Sequence, residues 1–254
     1  MRRLQLKDYI DLVVKLDSRL LVGFLGRNRR SVSGLVGGDA QRMWDYAAQQ
    51  ETLCGPYLQE VIATALCVAE SNACMHRIVA APTAGACGVL PAVLIPLYRK
   101  GKASEEKILQ ALYVAAGIGA VISCRACIAG AAGGCQAEIG SACSMTAAAL
   151  GELFEMGLGQ IGYAAEVAME HHLGLTCDPI CGLVQIPCIE RNAVAAKRAI
   201  DASNLAHMLV GTRTISFDMV VRTMYETGVN MSRAFRETSE GGLARLYSRR
   251  SIGS

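Results

Sequence analysis

No stretch of this chain alternates apolar and polar residues with period two between turn signals, the pattern a half-buried strand requires. Its apolar residues recur at helical spacing instead, as in "PYLQEVIATALCVAESNA" from Pro56 onward. That one property directs the chain to an all-α fold. The breaks between periodic segments then set the helices. Asp39 is placed to cap "AQRMWDYAAQQ", and a second helix is predicted over 56–79. "VLPAVLIPLYRK" follows with proline-set starts. Ser104 caps "EEKILQALYVAAGIGAVISCRACIAG", with Glu105 and Glu106 in the first turn, where the helix dipole favours acids. Further helices are predicted over 141–156, 160–172, 190–209 and 217–226. Gly- and Ser-rich loops fall at 31–40 and 80–88, a Gly-flanked turn at 131–140, and irregular chain from 173 to 189. Residues 1–30 read as a short helical lead-in and 31–254 as one compact domain, without a linker or repeat.

The residues available to fill such a core are small. The chain is 52% hydrophobic but only 5% aromatic, and 26 of its residues are glycine. Helices built this way approach one another closely and are buried on most sides. Buried central helices also account for the positive mean hydropathy of +0.30. The longest uncharged run, 78–98, has bilayer length but is interrupted by Pro82, Pro91 and Pro96, and the other apolar run, 108–124, has 17 residues. No membrane role is expected. A net charge of +3 argues for no nucleic-acid partner, and the basic runs "RNRR" and "YSRRS" read as solvated. Residues 1–15 mix charges with apolar residues and lack the form of a secretory signal, which points to the cytoplasm. In a reducing compartment eleven cysteines do not form a disulfide framework.

What those cysteines do is the functional question. Cys67, Cys74, Cys124 and Cys127 fall within predicted helices and read as small apolar packing groups. The Cys-x2-Cys of "CRAC" has no second pair at zinc-finger spacing. Cys135, Cys177 and Cys188 differ, because each stands at a Gly or Pro break: "GGC", "TCDP", "IPC". Such breaks let the backbone bend around a bulky object and free N–H groups to face sulfur. Iron–sulfur clusters use that setting, although soft thiolates suit zinc and buried cysteine needs no metal at all.

Five ordered blocks carry a resemblance: "SGLVGGDA", "APTAGACGVLPAVL", "GCQAEIGSACSMTAAAL", "EHHLGLTCDPICGLVQIPCIERNA" and "RETSEGGLA". Together, over about residues 31–245, they resemble the iron–sulfur-dependent L-serine dehydratases, specifically the α subunit or α domain. The resemblance implies an all-helical domain holding a [4Fe–4S] cluster through Cys135, Cys177 and Cys188, with Cys87, Cys143 and Cys181 outside the ligand set. It implies dehydration of L-serine to an enamine that hydrolyses to pyruvate and ammonia. An iron without a protein sulfur acts as Lewis acid on the hydroxyl. No lysine lies in an evident pyridoxal-phosphate motif, in keeping with that route.

The general base is left open between His171 and His172, just before Cys177, and His76, just before the "APTAGACG" loop; imidazole suits proton transfer near neutral pH. Candidates for substrate binding are Ser33 and Asp39, Thr83 with the amides of Ala84 and Gly85 as an anion nest, and Arg191 and Asn192; Glu138 is a further partner for an ammonium. Arg191 and Asn192 are equally suited to supporting Cys188. In the family a separate β part carries a Ser-rich segment with a histidine. Nothing like it occurs here, so the resemblance implies a β subunit in a homo- or hetero-oligomer, and the base is open to supply by that partner. Some single-chain relatives end in a cysteine that occupies the fourth iron; no cysteine follows Cys188 here. L-threonine or L-cysteine as substrate, and a non-catalytic cluster-bearing sensor, are the alternatives.

Overall fold

A computed structural model describes residues 29–49, 51–209 and 214–252. Ten α-helices occur among them: α1 (Asp39–Gln49), α2 (Gly55–Ala73), α3 (Val89–Arg99), α4 (Glu105–Arg125), α5 (Gly130–Gly133), α6 (Ser141–Leu153), α7 (Leu158–Glu170), α8 (Cys188–Met208), α9 (Phe217–Asn230) and α10 (Gly242–Ile252). The described residues contain no strand, and one isolated parallel bridge joins Cys177 to Arg236. The all-α expectation holds. The lead-in expected over 1–30 lies almost wholly outside the described residues.

Helix α6 is the axis of the molecule. Every residue from Ser141 to Gly151 is buried, and α3, α4, α7 and α8 pack around it. Alanine makes this possible. Ala142, Ala147, Ala148 and Ala149 leave room on all sides, so a helix without a polar face becomes a core element. The closest approach is to α4, where a methyl group added to Gly119 would stand 2.9 Å from Met145 Sδ. Next to this group, α2 packs against α1, α3 and α8. Helix α4 is the one described helix long and apolar enough to cross a membrane, and one of its sides packs on α6. All eleven cysteines are free thiols.

Helix ends differ from the sequence reading in instructive ways. Ser104 caps α4 as expected, its hydroxyl accepting from Lys107 N at 3.3 Å. Asp39 does not cap α1: it is the helix's first residue, and its carboxylate pairs with Arg42 at the surface. The cap comes from α2, where buried Glu70 Oε1 accepts from the amides of Asp39 (2.8 Å) and Ala40 (3.3 Å). Burial raises the Glu70 pKa against those two hydrogen bonds. Helix α2 stops at Ala73 rather than near 79, and α4 at Arg125 rather than 130. The stretch 131–140, expected as a turn, holds the short α5 and then a π-helical turn, Gln136–Gly140, that runs directly into α6. Helix α8 starts at Cys188, two residues earlier than expected, and α10 was not anticipated at all.

A candidate thiol-lined active site

Four loops and two helix starts meet at one corner of this bundle, and hydrogen bonds record how. Gln136 N donates to Leu175 O (3.0 Å), joining the Cys135 segment to the Cys177 segment. Cys177 N donates to Phe235 O (2.8 Å) and Glu237 N to Cys177 O (2.7 Å), laying the 235–237 segment alongside. Buried Asn192, one turn into α8, ties the 80–88 loop in place. Its Oδ1 accepts from Gly88 N (2.9 Å), and its Nδ2 donates to Gly85 O and Cys188 O (both 2.8 Å). Ser31 and Ser33 donate to Gln185 Oε1 at 3.2 and 2.7 Å, which docks the 31–38 loop on the chain leading to Cys188.

The three sulfurs singled out in the sequence are gathered here, all buried. The Cys177 thiol and Cys135 are hydrogen-bonded to each other, and Arg191 bonds to Cys135. The shared hydrogen bond with Cys177 lowers the Cys135 pKa, and Arg191 adds to this against the cost of burial. Cys177 is correspondingly raised, first by that hydrogen bond and then by burial. Burial pushes Cys188 up to about 12, with the negative charges of Cys135 and Glu138 adding. Backbone placement acts the other way. Cys188 opens a 21-residue helix and Cys135 precedes the turn that feeds α6, so both sulfurs stand at helix N-termini, where partial positive charge favours a thiolate.

Arg191 is committed to this corner. It donates to Thr176 O at 2.7 Å, pairs with buried Asp178 at 3.6 Å and reaches Cys135. Burial works against its charge, and Cys135 and Asp178 outweigh that, leaving its pKa raised.

Two carboxylates complete the cluster. Glu138 Oε1 accepts from Thr83 Oγ1 at 2.5 Å. Its pKa is raised by burial, with Glu237 adding and the Thr83 bond opposing. A methyl group placed on Gly130 would lie 3.1 Å from Cys177 Sγ and 3.4 Å from both Glu138 Oε2 and Glu237 Oε2, so these three groups face one point. A methyl on Gly85 would meet Glu138 Oε1 at 2.6 Å. The two glycines keep that space clear. Glu237 has a left-handed backbone, φ +62°, as does Ser239, φ +60°, held by the bonds to Cys177 and by Ser239 Oγ donating to Pro179 O (2.7 Å). Strained residues of this kind collect at functional sites. Glu237 was not singled out from the sequence; the Gly-Gly of "RETSEGG" and its place in a resembling block were the only signals.

The remaining sequence candidates divide. Thr83, Ala84 and Gly85 line the corner, and their amides donate to no acceptor among the described residues. Ser33 is one hydrogen bond away through Gln185. Asn192 spends its amide on the backbone, and Arg191 on thiol and loop, so both support rather than sit open. Asp39 lines a separate cleft of about 490 Å³ with Arg42, Tyr46 and Glu190. Each of the three histidines has one ring nitrogen engaged. His171 Nδ1 bonds to Val167 O (2.8 Å), His172 Nδ1 to Ala168 O (2.7 Å), and His76 Nε2 to Arg29.

Fold and site together define an all-helical domain that gathers thiols, a guanidinium and carboxylates from distant segments into one buried corner. Residues 20–244 match the family model described as the serine dehydratase alpha chain, and the chain belongs to that family. It is 51% identical over 181 residues to the L-serine dehydratase TdcG of Escherichia coli K12, covering 71% of this chain and 40% of that one. The L-serine dehydratase of Haemophilus influenzae is 50% identical over the same shares. The probable L-serine dehydratase alpha chain of Bacillus subtilis is 41% identical over 215 residues, 84% of this chain and 71% of its own. The chain thus spans about two fifths of the length of the first two relatives.

Proposed function

We propose that this chain is the α part of a cytoplasmic L-serine dehydratase, in which Cys135, Cys177 and Cys188 hold a [4Fe–4S] cluster and a separate β chain completes the enzyme. The observation that carries the reading is the meeting of these sulfurs, with Arg191, from segments far apart in sequence. The residues fit such a group. Three soft donors are present, two at helix starts, beside space kept clear by Gly85 and Gly130. As the side chains stand, no group of three or more His, Cys, Asp or Glu among the described residues is close enough together to hold a metal ion. A polynuclear centre instead asks for sulfurs facing a common space, one to each iron. When bound, the cluster supplies Lewis acidity toward the substrate's hydroxyl.

The protein's own part follows from its charges. Arg191 and the helix N-termini favour thiolate at Cys135 and Cys188. The Thr83, Ala84 and Gly85 amides suit a carboxylate, as unpaired backbone N–H groups in a loop do. Glu138 and Glu237 face the same point from the opposite sign and suit the ammonium. An amino acid bridging these two sets would have both ends of its backbone fixed and its side chain aimed by them. None of His76, His171 and His172 is among the groups that perturb Cys135, Cys177 or Cys188, and we assign removal of the α-proton to a group of the partner chain.

The test is anaerobic co-expression with a β-like chain, followed by iron analysis and pyruvate assay on L-serine, with L-threonine and L-cysteine in parallel. Wild type is expected to carry iron and to form pyruvate fastest from L-serine. Cys177→Ala is expected to lose most of its iron and at least about 100-fold in activity. Full iron and full activity in Cys177→Ala would overturn the ligand assignment. Faster turnover of threonine or cysteine would overturn the substrate assignment.

A further inference from the structure

The ends of α3 and α6 and the start of α4 enclose a cleft of about 460 Å³, a volume in the range of small-molecule sites. Its walls are apolar: Leu97, Leu153 and the rings of Tyr57 and Phe154. Its cations are Lys100, Lys102 and Lys107, and no acid stands among its lining residues. The stretch "YRKGKAS" brings them together. Gly101, at φ +64°, turns the chain after α3, so Lys100 and Lys102 flank the turn, and Lys107 follows in the first turn of α4. The walls are preformed. Lys100 N donates to Pro96 O (3.1 Å), Gly101 N to Tyr98 O (3.0 Å), Lys102 N to Leu97 O (2.9 Å) and Phe154 N to Leu150 O (2.9 Å). Phe154 is nevertheless 56% exposed, which leaves ring area for an occupant to cover.

The state of each lysine decides what the cleft can hold. Lys100 pairs with Glu60 at 2.5 Å, and that carboxylate is mostly sheltered, with 17% of its side chain exposed. Lys100 is therefore already matched. Lys102 makes no ion pair among the described residues. Lys107 pairs with Glu155 at 2.5 Å, but the two side chains are 47% and 76% exposed, and an open surface pair of this kind yields to a stronger anion at little cost. Two ammonium groups are thus open to one anion. Lysine is a compact point charge that serves phosphate well, and a phosphate ester has the charge and the outer oxygens to engage both. Glu106 and Glu155 adjoin the lining residues Lys107 and Phe154 in the chain, so the positive field ends at the rim. A nucleic-acid strand, which needs cations continuing along its backbone, does not fit that distribution.

We propose that this cleft binds a small organic phosphate with an aromatic body, its ring against Phe154, Leu97 and Leu153 and its phosphate on Lys102 and Lys107. The site is separate from the thiol corner. The Cys135 segment runs into the first residue of α6, whereas Leu153 and Phe154 stand at the other end of that 13-residue helix, about 20 Å away. The inference therefore goes beyond the proposed activity, and its test reads neither iron nor turnover.

The test is calorimetric titration of the full chain at low salt with 1-naphthyl phosphate, and with inorganic phosphate, 1-naphthol and 1-naphthoate as separate arms. For 1-naphthyl phosphate a Kd of about 0.1 mM is expected, in keeping with its size. Inorganic phosphate (the charge alone), 1-naphthol (the ring alone) and 1-naphthoate (a single carboxylate) should each bind at least about tenfold more weakly. Lys102→Ala with Lys107→Ala, both exposed, should weaken binding at least about tenfold with the melting temperature unchanged. Phe154→Ala should weaken it about fivefold. Glu155→Gln, which frees Lys107, should tighten it about threefold, a gain that loss of a merely structural ion pair would not give. Absence of binding at about 5 mM would overturn the proposal. So would inorganic phosphate binding as well as the ester, or affinity indifferent to the lysine pair, to Phe154→Ala or to Glu155→Gln. Equal binding of 1-naphthoate would overturn the assignment to phosphate.

Discussion

His172 lies two residues beyond the end of α7, with 3% of its surface exposed and its Nδ1–H given to Ala168 O at 2.7 Å. Burial lowers its pKa to about 4, and nearby Arg198 and His171 push in the same direction. The folded state therefore favours the neutral ring. Above the ordinary value near 6.5 that preference is met in folded and unfolded chains alike. As pH falls from about 6.5 to 4 the unfolded chain takes up a proton that the folded one refuses. Stability is then lost, by up to about 3 kcal/mol at one pKa unit per 1.36 kcal/mol. Glu70 and Glu138, both raised by burial, give a slope of the opposite sign, so the diagnostic is a difference between proteins. Urea midpoints of wild type and His172→Gln, compared from pH 7.5 down to about 4.5, should diverge progressively, with wild type falling more steeply. Parallel curves would show that His172 titrates normally. A histidine beside "GLTC" reads from sequence as a base poised over the cysteines. What the sequence does not carry is the direction of the ring, which the helix's own i−4 carbonyl decides.

Between elements, one amide does what no periodicity announces. Asn192 joins α8 to the 80–88 loop through three bonds of 2.8 to 2.9 Å, and through Cys188 O it sets the first turn of its own helix. Asn192→Ala would leave the Gly88 N–H and the Gly85 carbonyl buried without partners. A loss of about 3 kcal/mol in urea denaturation is expected, at one to three for each stranded group. Asn192→Asp, which keeps the acceptor and removes the donors, should fall between the two. The helices themselves were readable where local chemistry governs them: the Ser104 cap, the acidic first turn of α4, and the alanine-rich stretch of α6. They were misread where a distant group governs them. Glu70 from α2 supplies the cap that Asp39 was expected to give α1. Gly134 and its neighbours signal a turn, yet packing under α9 and the bond from Gln136 Nε2 to Met224 O turn 136–140 into a π-helical lead into α6. The Gly and Pro breaks did mark the three cysteines. That α8 begins at Cys188, presenting its sulfur to the helix's N-terminal field, emerges only once Pro187 and Gln185 are fixed from outside.

At the scale of the molecule, the C-terminal segment is the part least visible in sequence and most closely joined to the thiol corner. Phe235, Glu237, Ser239 and Leu243 each bond to the stretch 177–179. The last of these is Leu243 N to Asp178 Oδ2 at 2.6 Å, which caps α10 with a residue that also pairs with Arg191. A cap 65 residues upstream has no local signature, which is why α10 and Glu237 escaped the pattern of helical spacing. The same segment contributes nothing to the buried apolar clusters, whose buried residues run from Val36 to Met224. Core and site wall are therefore separable. A chain ending at Met231 should keep its cooperative melting, with a shift of only a few degrees, because the packing around α6 is untouched. It should lose the shelter of Cys177, which is 2% exposed in the whole chain. Timed maleimide labelling with peptide mapping, on iron-free protein, reads this directly. Cys177 should react at least about tenfold faster in the shortened chain, as local opening replaces global unfolding as the route to the thiol, while deeply buried Cys143 reacts at the same slow rate in both. If Cys143 became reactive as well, the tail would be holding the bundle together rather than walling its corner.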